Sequence, residues 1–94
     1  MRKDRENMLR SRLQTAITSR NTARIRFQTQ ADNLEQAKNA EQILLRNYET
    51  GRVDYNEVLD IMDMVIKIRL ARIEAAHNYF IQSAVINYLA EPMQ

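Results

Sequence analysis

Leu9, Leu13, Ala16, Ala23, Phe27, Leu34, Ala37, Leu44 and Tyr48 recur along the first half of the chain on alternating steps of three and four. Arg20, Gln30 and Glu41 fill the steps that apolar residues leave out. A repeat of this period predicts a coiled-coil seam with a left-handed supercoil, here diluted by small and polar residues. The second half carries two apolar lines. Tyr55, Leu59, Met62, Ile66, Leu70, Ile73, Phe80 and Ala84 form one; Ile61, Met64, Ile68, Ala71, Ala75, Tyr79 and Ile86 form the other. At about 100° per residue their centres stand more than about 120° apart on a helix, and Asp60, Asp63, Lys67, Glu74 and Asn78 share a polar wedge between them. A helix with one neighbour needs one line. Two lines predict a helix with a neighbour on each side, as in a curved palisade or cylinder of helices, its polar wedge facing water.

The run from Glu49 to Asp54 interrupts this periodicity. Gly51 is the single glycine, and it takes the positive φ of a helix-ending cap at low cost. Asp54 with Glu57 three positions later has the spacing of an N-cap and its capping-box partner. Pro92 cannot continue a helix, so the second helix is expected to end near Ala90. The expected fold is all-α: one long antiparallel two-helix coiled-coil hairpin, with helix one over about 3–49, a turn at 50–53 and helix two over about 54–90. A hairpin alone leaves the second line of helix two in water, so the chain is expected to self-associate as a four-helix dimer or to be a segment of a larger α-helical barrel.

Composition agrees with long helices and excludes several alternatives. The 94 residues include one Gly, one Pro, no Trp and no Cys, which removes disulfide frameworks and cysteine-based metal sites. No stretch approaches the length of an apolar membrane span, and the residues after Met1 lack the apolar core of an export signal. The net charge of +2 conceals an asymmetry: residues 1–26 hold eight Lys and Arg against Asp4 and Glu6, and the remainder holds six against ten acids. A basic first helix presenting Arg10, Arg20 and Arg24 defines an alternative reading, a self-associating hairpin that binds nucleic acid. A solvated helix face accounts for the same charges, and nucleic acid is the less favoured partner.

Candidate chemistry is sparse. Glu74 and His77 have the i, i+3 spacing of carboxylate-bridged di-iron bundles, but such sites need further inward carboxylates from facing helices. The expectation is an exposed Glu beside a half-buried His, with no metal or other cofactor. Glu57, Asp60 and Asp63 have no Ser/His or Cys/His partner and no phosphate-binding loop, so an enzyme is not expected. Met62, Met64 and Met93 read as adaptable helix contacts rather than soft-metal ligands. Tyr48 and Tyr55 flank the turn and are expected to pack one helix end onto the other.

An ordered set of residues around the turn also carries a resemblance. Tyr48, Gly51, then Val58-Leu59-Asp60, and later Arg69, Ala71, Ala75, Ala76, Tyr79 and Leu89 resemble the outer-membrane efflux protein family, the TolC-like exit ducts of efflux pumps and secretion systems. In that family a Tyr-x-x-Gly turn precedes a Val-Leu-Asp stretch and an Ala-rich helix with a downstream Tyr; the match covers about residues 30–90. The resemblance implies a carboxy-terminal periplasmic hairpin of a duct anchored in the outer membrane, in which three subunits close a cylinder of twelve helical strands. It implies a tip formed by Tyr48, Gly51 and Arg52 that docks a periplasmic adaptor, and a constriction lined by Glu57 and Asp60. The family's preceding hairpin, membrane-spanning β-strands and signal peptide have no counterpart here, so the chain is expected to be a fragment of such a protein or an unusual truncated relative. Val53 follows Arg52 where the family places a polar residue, which shifts or removes any polar lock at that point.

Overall fold

The computed structural model describes residues 2–91 and contains two long helices, α1 (Arg2–Glu49) and α2 (Tyr55–Ala90), which pack together as an all-α hairpin. Helix one therefore begins one residue earlier, and helix two one residue later, than the pattern predicts. Met93 and the expected stop at Pro92 lie outside the described residues.

The contacts gather into two compact units, each built from a stretch of both helices. One joins α1 through Arg26 to α2 from Glu74 onward, and the other spans Phe27–Ile73 and contains the turn. In the first unit the buried positions are Ala16 and Ala23 on α1 and Ala75 and Leu89 on α2, with Leu9, Leu13, Arg20, Tyr79, Gln82 and Ile86 half-buried. In the second, Leu34, Ala37 and Val65 form a buried cluster against which Ile68 packs, and Val58 is the most enclosed residue at 2% exposure.

On α1 these positions belong to the predicted repeat, including the half-buried Arg20, Gln30 and Glu41 at its polar steps, but two of its predicted members, Phe27 and Tyr48, are exposed. On α2 the repeat runs Val58, Ile61, Val65, Ile68, Arg72, Ala75, Tyr79, Gln82, Ile86, Leu89, every member buried or half-buried. This corrects the second apolar line read from the sequence. Ile61, Ile68, Ala75, Tyr79 and Ile86 lie in the seam and Ala71 flanks it, but Met64 is 52% exposed. Val58, Val65 and Leu89 belong to the seam and stood in neither line. Arg72 and Gln82 occupy two of its steps, and this hides the repeat from an apolar count.

The fully buried positions of the seam are mostly small residues. Among the described residues the buried set contains only Ala, Val and Leu, and no buried polar side-chain atom lacks a partner. Small side chains let two helices approach closely but remove little apolar surface each, so the intrachain packing is thin. One ion pair, Lys67 Nζ to Asp63 Oδ2 at 2.9 Å, spans adjacent turns of α2 in an exposed position. The hydrogen bond and charge of Asp63 raise the Lys67 pKa above its ordinary 10.5. A raised lysine pKa favours the fold below the ordinary value, and the benefit disappears as pH climbs through the raised one. At this exposure solvent screens the pair strongly, so Lys67→Gln is expected to leave the thermal unfolding midpoint at neutral pH unchanged within error.

Leu34 and Ile25 give the sharper contrast. Leu34→Ala opens space beside Ala37 and Val65 and is expected to cost about 2–3 kcal/mol. Ile25, 57% exposed on α1, is expected to change stability by less than about 0.5 kcal/mol when cut to Ala. Urea titrations followed by circular dichroism at one fixed chain concentration measure both.

Candidate functional site

The turn is closed by its backbone. Gly51 has φ of +76°, and its N–H donates to the Tyr48 carbonyl at 2.9 Å while the Arg52 N–H donates to the Asn47 carbonyl at 2.7 Å. These two bonds are the 5→2 and 6→1 pair of a Schellman cap, which satisfies carbonyls that the end of α1 would otherwise leave open. The Thr50 hydroxyl adds a further bond to the Asn47 carbonyl at 3.0 Å. Thr50 was not singled out from sequence; its signal is a hydroxyl one position before a C-terminal glycine.

The entry to α2 departs from the expected capping box. The Glu57 N–H donates to the backbone carbonyl of Asp54 at 3.1 Å. The Asp54 carboxylate instead accepts a long 3.5 Å bond from Asn56 Nδ2. The first turn of α2 thus closes through the main chain, and a neighbouring amide draws the aspartate side chain away from the N–H groups it was expected to cap.

Tyr48 and Tyr55 meet across the turn with ring centroids 5.6 Å apart and planes inclined at 49°. Such tilted pairs contribute about 0.5–1.5 kcal/mol beyond the area they cover. Both rings keep about half their surface in water, and Gly51 and Arg52 are exposed beside them. The three residues predicted for the tip therefore share one exposed surface. Glu57 and Asp60 are exposed one turn into α2 and, with Leu44, Ile61 and Met64, line a shallow groove of about 320 Å³.

On the same unit α2 presents its other apolar line outward. Tyr55, Leu59, Met62, Ile66, Leu70 and Ile73 are between 43% and 61% exposed. In the 3.5-residue frame of the seam, Leu59, Ile66 and Ile73 repeat at one heptad position about 130° from the buried side. Phe80, Ala84 and Tyr88 are likewise exposed on the other unit. Asp60, Asp63, Lys67, Glu74 and Asn78 are all exposed, as a polar wedge requires. The outer positions of α1 from Gln14 to Glu49 that correspond to this line are Gln14, Asn21, Gln28, Glu35, Gln42 and Glu49. One helix thus has a single apolar side, and the other has two.

The remaining candidates are dispersed. Glu74 and His77 are both exposed, so the histidine is not half-buried as expected, and no group of three or more metal-ligating side chains occurs among the described residues. Its heptad position points away from the seam, and a histidine there has water around it. Arg10 and Arg24 are exposed, while Arg20 is half-buried at its seam step. Among the described residues no helix is long and apolar enough to cross a membrane.

The open space around Gly51 isolates the backbone contribution. Nothing lies within 4 Å of a Cβ placed there, so Gly51→Ala meets only the left-handed strain of an L-residue and is expected to cost about 1 kcal/mol. Gly51→Asn, which tolerates that region better, is expected to cost less; thermal denaturation of the two variants side by side measures the difference. Comparison with protein-family models, with curated proteins and with solved structures found no match for this chain.

Proposed function

We propose that this chain is a periplasmic helical-hairpin segment of a TolC-like export duct, anchored through the rest of that duct in the outer membrane. The observation that carries the reading is the exposed apolar line of α2, from Tyr55 to Ile73 in the turn-containing unit. A helix already packed along one seam and still apolar about 130° away fits a palisade in which every helix has two neighbours. A freestanding hairpin offers no reason for Leu59, Ile66 and Ile73 to repeat at an outward position.

In this reading the seam joins α1 to α2 and the exposed line joins α2 to a helix of the surrounding duct, a trimer. The capped turn is the tip. Tyr48 and Arg52 offer an aromatic face and a guanidinium beside Gly51, a combination suited to the helical hairpin of a periplasmic adaptor. Glu57 and Asp60 supply carboxylates that a threefold axis repeats around the tip. Such rings repel anions and attract cations, and mutual repulsion makes their spacing sensitive to pH and salt. The protein's role is conduction and docking rather than bond-making.

The test is made in the cell that encodes the chain. Deleting the gene is expected to raise retention of a fluorescent efflux substrate several-fold, and a cysteine-directed cross-linker on Arg52→Cys is expected to capture a periplasmic adaptor. Glu57→Gln with Asp60→Asn is expected to weaken block of the reconstituted duct by divalent cations. Unchanged substrate retention together with no adaptor capture overturns the reading.

A further inference from the structure

The exposed line of α2 in the turn-containing unit reads the same in both directions. Leu59, Met62, Ile66, Leu70 and Ile73 stand at −7, −4, 0, +4 and +7 from Ile66. Two charged residues interrupt it at −3 and +3, Asp63 and Arg69, and they are of opposite sign. Both are exposed. Asp63 pairs with Lys67 on its own helix, and among the described residues Arg69 makes no ion pair.

A helix with this arrangement is complementary to itself when turned end for end. Antiparallel alignment about Ile66 sets Ile66 against its own copy and brings Met62 level with Leu70, Leu59 level with Ile73, and Asp63 level with Arg69 twice, diagonally across the contact. Parallel alignment in register brings Asp63 level with Asp63 and Arg69 level with Arg69 in the same diagonal relation, where like charges repel. Charge therefore selects the antiparallel arrangement, which is the isologous contact that a two-fold axis generates.

We propose that the occupant of this surface, when the chain is free, is the same segment of α2 from a second copy, related by a two-fold axis through Ile66. The five side chains expose on the order of 500 Å² of apolar surface per copy, so a pair buries roughly 1,000 Å², at the small end of specific interfaces. The association is accordingly weak and concentration-dependent, and Asp63 and Arg69 fix its direction. The pairing uses the face that the duct reading gives to a neighbouring helix, so it describes the chain outside an assembly. It stands whether or not that reading holds.

The chain has no cysteine, so single cysteines report the symmetry directly. With a short thiol cross-linker, Ile66→Cys is expected to give a covalent dimer, Leu59→Cys alone to give little, and Leu59→Cys mixed with Ile73→Cys to give a covalent pair. In sedimentation at about 100 µM, wild type is expected to be dimeric and to dissociate toward about 1 µM. Asp63→Arg and Arg69→Asp are each expected to weaken association by about tenfold, and an equimolar mixture of the two to recover it, because the mixed pair restores both opposite-charge contacts. Circular dichroism verifies that each variant keeps its helices. A wild-type monomer at the high concentration, equal cross-linking of Ile66→Cys and Leu59→Cys, or single charge reversals without effect overturns the proposal.

Discussion

Everything in this molecule depends on a seam that is too thin to satisfy both helices. The buried positions that join α1 to α2 are alanines, valines and two leucines, and the steps between them include Arg20, Gln30, Glu41, Arg72 and Gln82. Such a seam fixes register through its 3.5-residue repeat, because shifting either helix by one residue turns the repeat away from its partner. It removes little surface from water for each ordered residue, and ordering the chain has a large entropic cost. Many of the large side chains that would make a heavy core, Leu59, Ile66, Leu70, Ile73 and Phe80 among them, are instead on the outside of α2.

That division gives the molecule its functional logic. The turn is held by local bonds, the Schellman pair at Gly51 and the tilted rings of Tyr48 and Tyr55. Rigid local closure with exposed aromatic and cationic side chains is a suitable arrangement for docking. In both proposed readings the outward line of α2 answers a different need, a lateral neighbour. A duct and a self-paired hairpin are two ways to meet it, and they compete for one surface.

The α1 seam was legible in the sequence at most of its steps, because its apolar and polar members keep one spacing from Leu9 to Leu44; Phe27 and Tyr48 share that spacing and are nevertheless exposed. The glycine that ends α1 could be read because no other residue there takes positive φ cheaply. On α2 the existence of two sides was legible, but the seam was displaced: Val58, Val65 and Leu89 were missed because Arg72 and Gln82 break the apolar repeat. Which line faces the partner helix is not contained in either pattern; it follows from the register the turn imposes. The capping box failed for a local reason, since Asn56 competes for the Asp54 carboxylate. For the tip, sequence placed Tyr48, Gly51 and Arg52 together, but the Thr50 hydroxyl bond depends on side-chain rotation that spacing does not reveal.

The central claim is that the outward line of α2 is an interface and not merely a tolerated apolar surface. The most direct measurement is the thermal unfolding midpoint of the unmodified chain, followed by circular dichroism over a range of about 1 to 100 µM. Association that involves only the folded state makes the midpoint rise with concentration, and that rise is what the account predicts. A midpoint that stays constant across the range contradicts it, because the exposed line would then be stable in water without a partner.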